Sequence, residues 1–171
     1  MNLTIRPASK EDAVLIADLS RKTFYDTFIK DNRKEDMDKF LNEQFTRGKL
    51  ILEVSDPNHS FFLAYMDEQP AGYLKLREGA APFGLAGRSC LEIARLYAAK
   101  EFIGKGIGKA LMQRSIDTAM ERSKEAVWLG VWEGNQRAID FYTAWGFEKF
   151  GEWDFLLGND LQKDWLMKKE L

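Results

Sequence analysis

Ile103-Gly104-Lys105-Gly106-Ile107-Gly108-Lys109 stands between a strand-like run, Cys90 to Ala99, and a helical stripe of Ile107, Leu111, Met112, Ile116, Ala119 and Met120. Glycine on alternate positions lets a backbone wrap closely round an anion. The N–H groups that open the following helix point at that anion, with the positive end of the helix dipole behind them. A strand, a glycine turn and a helix in that order predict an α/β fold that holds a phosphate-bearing ligand at the helix N-terminus. The turn is not a Walker loop, because Lys109 is followed by Ala110 rather than Ser or Thr. Nor is it the dinucleotide fingerprint: its spacing is Gly-x-Gly-x-Gly, and the acid Glu125 precedes its strand, whereas a ribose contact needs an acid that ends one.

Working outward, Leu3-Thr4-Ile5-Arg6 alternates as a strand, and Ser9 with Asp12 resembles a capping box. The helix that follows carries Val14, Leu15, Ala17, Leu19, Phe24 and Phe28, and a second is predicted over Arg33 to Phe45. Phe61 to Met66 and Ala71 to Leu76, joined by Asp67-Glu68-Gln69-Pro70, read as a hairpin. Gly79, Pro82, Gly84 and Gly87 mark residues 79–89 as a loop. Val127 to Trp132 is too apolar for an exposed strand, Asn135 to Trp145 is a short helix stopped by Gly146, and residues 147–157 and 163–171 read as two more strands. No repeat or linker divides the chain, so residues 1–171 are expected to form one domain.

Hydrophobic residues are 45% of the 171 and charged residues 30%, a soluble profile. The net charge of -2 disfavours a nucleic-acid partner. One cysteine, Cys90, and one histidine, His59, supply neither a disulfide nor a zinc ligand set, so no metal is expected. Cys90 reads as a small buried strand residue and His59, in Asp-Pro-Asn-His-Ser, as a loop residue. No apolar run approaches about 18 residues and no signal-peptide core opens the chain, so a cytoplasmic protein without a membrane partner is expected.

Asn135-x-x-Ala138-Ile139-x-Phe141-Tyr142-x-x-x-Gly146-Phe147, joined to the glycine turn through Leu129-Gly130-Val131, resembles the GNAT acyl-CoA-dependent N-acetyltransferases, as does the opening Ile5-Arg6-Pro7-Ala8. Leu91-Glu92-Ile93, Arg95-Leu96-Tyr97, Trp128 to Glu133, Leu157-Gly158-Asn159-Asp160 and Asp164-Trp165-Leu166-Met167 are similar to PaiA-type spermidine/spermine acetyltransferases. The resemblance implies a mixed, mostly antiparallel central sheet flanked by helices. It also implies acetyl-CoA as cosubstrate, with direct transfer in a ternary complex. Its pyrophosphate would rest on the amides of Ile103, Gly104, Lys105, Gly106, Ile107, Gly108 and Lys109. Its pantetheine arm would pair with Leu96, Tyr97 and Ala98, beside Asn135, Ala138 and Phe141. The chain departs from the family in carrying Ile103, where Gln or Arg is frequent, and Ala94, which removes a carboxylate from the reaction strand.

Acetylating an alkylamine requires removing a proton held at a pKa of about 10.4, at a cost of about 4–5 kcal/mol at neutral pH. Glu92, on the strand leading to the acetyl group, is the candidate base; its structural alternative is an ion pair with Arg95 or another cation. The departing thiolate needs a hydrogen bond or proton, and Tyr142 matches the family's acid by position. The amide near Ala98 is a candidate oxyanion donor, and Cys90 need not act.

For the acceptor, Phe24, Tyr25 and Phe28 are expected on the wall, with Glu92, Glu133 and Asp154 among the carboxylates available to a cation, alongside Asp26, Asp31 and Asp160. A cluster of Trp132, Trp145 and Trp153, together with the tail motif, points to a small amine, a polyamine such as spermidine or spermine. The alternatives are a protein N-terminal or lysine acetyltransferase and a non-catalytic acetyl-CoA-binding regulatory domain. Exposed strand edges toward the C-terminus fit a homodimer.

Overall fold

Among residues 2–79 and 81–171, which the computed structural model describes, seven strands form one sheet. They are β1 (Leu3–Pro7), β2 (His59–Met66), β3 (Gln69–Arg77), β4 (Cys90–Ala98), β5 (Ala126–Trp132), β6 (Glu148–Leu157) and β7 (Asp160–Glu170), in the spatial order β1-β2-β3-β4-β5-β7-β6. The helices are α1 (Ala13–Phe28), α2 (Lys34–Glu43), α3 (Arg47–Glu53), α4 (Ile107–Glu121) and α5 (Gln136–Ala144). Every strand pair is antiparallel except β4 with β5, which are joined by the crossover that contains α4. This is the mixed, mostly antiparallel sheet expected. Among the described residues no helix is long and apolar enough to cross a membrane.

The central strands read as nearly continuous apolar runs because both faces of the sheet are covered. Phe62, Leu74, Leu76, Leu91 and Leu129 pack against Ile107, Leu111 and Met112 of α4. Phe61, Leu63 and Tyr73 face the other way, onto Ile16 and Leu19 of α1. Ser20, Thr23 and Thr27 sit within α1 at no polar cost, each hydroxyl donating to the carbonyl four residues back at 2.6–2.8 Å. The β2–β3 turn is Asp67-Glu68 alone, both at positive φ (48° and 71°), the geometry of a two-residue primed turn.

Several local expectations are corrected. The second helix ends at Glu43, and a separate α3 follows, capped by Thr46, whose hydroxyl accepts from the Lys49 N–H at 3.3 Å. Thr46 takes extended dihedrals, so the chain breaks there before its apolar run Leu50-Ile51-Leu52. His59 is no loop residue: it opens β2 and its Nδ1 lies 3.0 Å from the Glu53 carbonyl. Within 79–89, Phe83–Leu85 forms a single 3-10 turn that buries Leu85; Ala80 lies outside the described residues.

One irregularity creates the site. Lys75 pairs with Arg95 and Leu76 with Ile93, so Ala94 is an extra residue on β4. Such a bulge bends and twists its strand. β4 accordingly pairs with β5 only from Cys90 to Glu92, and beyond that the two strands part.

Candidate active site

The gap between the parted strands opens into a cleft of about 760 Å³. Leu96, Tyr97 and Ala98 line it from β4, and Gly130, Val131 and Trp132 from β5. From Ile93 to Ala98, β4 is paired on one side by β3, and its other edge carries backbone donors and acceptors with no strand partner among the described residues. An extended, amide-bearing chain fits that edge as an added strand.

At one end of the cleft lies the glycine turn. Gly104 and Gly106 have φ of 84° and 88°, a region that costs other L-residues about 1–2 kcal/mol. Gly106 is the N-cap of α4, and the first-turn amides of Ile107, Gly108 and Lys109 find no backbone acceptor among the described residues. No acidic side chain occupies that turn, while Lys109 and Arg137 line the cleft beside it. These donors suit an anion. The turn is held in place by Gly72 on β3, where a Cβ would meet the Tyr97 carbonyl at 2.6 Å and Ile107 Cγ2 at 2.7 Å; only glycine lets the start of α4 settle there.

Asn135 caps α5, its Oδ1 accepting from the Ala138 N–H at 3.2 Å, which leaves its NH2 as the free donor. Nearly two turns on, Phe141 and Tyr142 line the cleft, with ring centroids 5.5 Å apart, and Phe147 stands 5.8 Å from Tyr142. Loss of solvent pushes the Tyr142 phenol up to about 12, so it is a hydrogen-bond donor at any physiological pH.

The one carboxylate on the cleft wall among the described residues is Asp164. It sits on β7 opposite Trp132 and lines the cleft. Desolvation raises its carboxyl to about 6, with the Trp153 indole the partial offset. The Tyr97 phenol, which lines the same cleft, is raised chiefly by burial, then by the phenols of Tyr73 and Tyr142, with Arg95 opposing and Asp164 adding a smaller upward effect.

Of the residues expected on sequence grounds, the cleft gathers Ile103, Gly104, Gly106, Ile107, Gly108 and Lys109 from the turn. It also gathers Leu96, Tyr97 and Ala98, then Asn135, Ala138, Phe141 and Tyr142, with Phe24 and Phe28 of α1. It leaves out others. Lys105 contributes backbone to the turn, but its side chain is exposed. Tyr25 packs on the core between α1 and α2. Glu133 and Asp154 are exposed, and Asp154 is paired with Lys163 at 2.7 Å. Glu92 borders a separate, smaller cavity with Trp128 and Trp153, where both its oxygens accept from Arg77. Arg95 is not its partner but holds Glu53 at 2.7 and 2.9 Å. The three tryptophans do not cluster: Trp153 meets Trp128, Trp145 meets Phe141 and Trp132 meets Phe28. Asp164 and Arg137 went unflagged. Arg137 stands two residues after Asn135, the one local signal available for it.

Residues 18–147 match the acetyltransferase (GNAT) family. An uncharacterized N-acetyltransferase from the pepI 3′ region of Lactobacillus delbrueckii subsp. lactis is 42% identical over 163 residues, 95% of this chain and 94% of the relative. A spermidine N(1)-acetyltransferase of Thermoplasma acidophilum is 24% identical over 152 residues, 86% of this chain and 89% of its own. The fold is that of the PaiA N-acetyltransferase of the same organism, solved in complex with coenzyme A, at a TM-score of 0.81, 23% identity and full coverage of both chains.

Proposed function

This chain belongs to the acetyltransferase (GNAT) family, and from that premise we propose that it moves acetyl from acetyl-CoA to the primary amine of a small molecule, directly and without an acyl-enzyme. The carrying observation is that the unpaired β4 edge, the free α4 amides, Tyr142 and Asp164 all belong to one cleft. The α4 amides with Lys109 and Arg137 hold the pyrophosphate, and the β4 edge at Leu96 to Ala98 holds the pantetheine arm. Asp164 relays the ammonium proton to solvent, a deprotonation that costs about 4–5 kcal/mol at neutral pH. The amine nitrogen then forms its bond to the acetyl carbon, the carbon–sulfur bond breaks, and the second N–H proton leaves to solvent.

Tyr142 donates a hydrogen bond to the departing sulfur. Handing over its proton outright, from a phenol at about 12 to a thiolate whose acid lies near 8.5, is uphill by about 5 kcal/mol, so charge stabilisation is its role. Solvent then protonates the thiolate.

A polyamine acceptor is a second reading, favoured by the Thermoplasma relative named as a spermidine acetyltransferase. The test is thiol release from acetyl-CoA with a panel of small amines and a lysine peptide, using wild type and Tyr142→Phe. Turnover of a small amine that drops about 10²–10⁴-fold in the variant, with acetyl-CoA binding retained, supports the proposal. Turnover with the peptide alone moves the function to protein acetylation. Binding without release from any acceptor leaves a regulatory domain.

A further inference from the structure

Resting on the acetyl-transfer reading, we infer that the acceptor is a primary monoamine with an apolar, ring-bearing body, an arylalkylamine, and not a polycation. The acceptor half of the cleft is a box of rings. Phe24 stacks on Phe40 at 4.8 Å, Phe40 meets Phe45 and Phe155 at 5.5 Å each, and Trp132 closes on Phe28 at 6.4 Å. The polar groups among them are neutral and mostly engaged. The Thr27 hydroxyl donates to the Thr23 carbonyl, the Asn32 NH2 to the Phe28 carbonyl, and the Gln162 NH2 to Asn32 Oδ1 and to the exposed carboxylate of Asp160, which lies outside the cleft wall.

Among the described residues Asp164 is the one carboxylate on the cleft wall. The floor adds no further negative charge. Arg95 lines the cleft with its guanidinium 4.7 Å over the Phe45 ring, and its partner Glu53 is shared with Lys75 at 3.3 Å, one carboxylate for two cations.

Charge complementarity therefore fits one ammonium. A polyamine has several, and each beyond the first would leave water for a wall with no counter-charge, where a cation–π contact of about 0.5–2 kcal/mol offsets only part of a desolvation cost of several kcal/mol per ion. A single ammonium at Asp164 leaves the remainder of the ligand to the rings, where its apolar area is buried favourably.

The experiment measures kcat/KM at saturating acetyl-CoA for 2-phenylethylamine, n-butylamine, 1,4-diaminobutane, spermidine and a lysine peptide, with acetyl-CoA binding followed separately by thermal shift. The expected result is 2-phenylethylamine ahead of both n-butylamine and spermidine by about tenfold or more. Gln44→Glu, which adds a carboxylate at the exposed rim of the box, should raise the ratio for 1,4-diaminobutane over 2-phenylethylamine several-fold. Spermidine equal to or better than 2-phenylethylamine overturns the inference and leaves acetyl transfer standing, as does a preference for the peptide. An unchanged ratio in Gln44→Glu also counts against it. Binding of acetyl-CoA with no amine acetylated sinks the inference and the acetyltransferase reading together.

Discussion

Arg77 and Glu92, partners across β3 and β4, are locked in a two-pronged ion pair, Nε to Oε1 at 2.6 Å and Nη2 to Oε2 at 3.0 Å. Both carboxylate oxygens are committed to a guanidinium, and they border the smaller cavity with Trp128 and Trp153 instead of the cleft that holds Tyr142. Glu92→Gln is expected to keep kcat/KM within about threefold while losing about 1–2 kcal/mol in urea unfolding, between the values for exposed and buried pairs. Asp164→Asn is expected to do the reverse, with kcat/KM down about 10²–10⁴-fold. Equal activity losses in the two variants would contradict these assignments.

Asp164 also makes a pH prediction. Its carboxyl is raised from 3.8 to about 6, so the folded state holds its proton more tightly than the unfolded chain does. Its contribution to stability is present in full below about pH 4 and is lost as pH rises through about 6. Asp164→Asn should therefore melt above wild type at pH 7.5, with the difference vanishing below about pH 4. Activity needs the ionised form, so wild-type kcat/KM should rise through a limb near pH 6 that the variant lacks. A wild-type profile without that limb would remove Asp164 from the proton path.

Gly106 tests the anion site through its backbone alone. At φ 88° and ψ 4°, with nothing within 4 Å of where its Cβ would stand, it is glycine for its dihedrals and not for space. Gly106→Ala should cost about 1–2 kcal/mol and tilt the α4 amides, raising KM for acetyl-CoA several-fold. Gly106→Asn should be milder, because asparagine visits the left-handed region more readily. An effect of Gly106→Asn larger than that of Gly106→Ala in calorimetric titration with CoA would argue that side-chain bulk is at work instead.

What was legible in the sequence is what is local. The glycine turn, the Asn135 cap and Tyr142 on α5 lie within short stretches whose periodicity and cap residues specify them, and they reach the cleft as expected. Asp164 does not read as a site residue, because its position depends on β7 slipping between β5 and β6, which sets it opposite Trp132. Nothing within Asp160 to Glu170 records that β7 will have two partners. Which cation pairs with Glu92 is hidden for a related reason: the Ala94 bulge shifts the β3–β4 register, and the opposing residue, the other cation its structural alternative allows, is Arg77. Arg95, the neighbour in sequence, turns to Glu53 of α3, a helix the local pattern did not announce.

Gly158 supports the final prediction. It sits in the β6–β7 turn at φ 60°, and a Cβ there would lie 2.5 Å from Asp36 Cα and 2.6 Å from the Asp36 carbonyl oxygen. The next residue, Asn159, donates its N–H to Asp36 Oδ1 at 3.0 Å, so turn and α2 touch through backbone and are pinned by a hydrogen bond. Neither backbone can yield as a flexible side chain would. Gly158→Ala therefore carries the left-handed penalty of about 1–2 kcal/mol and an overpacking cost of about 1–3 kcal/mol. The displaced helix carries Phe40, which meets Phe155 of β6 inside the ring box. The melting temperature should fall, and KM for the amine should rise several-fold while KM for acetyl-CoA, proposed to rest on the α4 amides, stays near wild type. A rise in both constants together would mean that the two halves of the cleft are not mechanically separate.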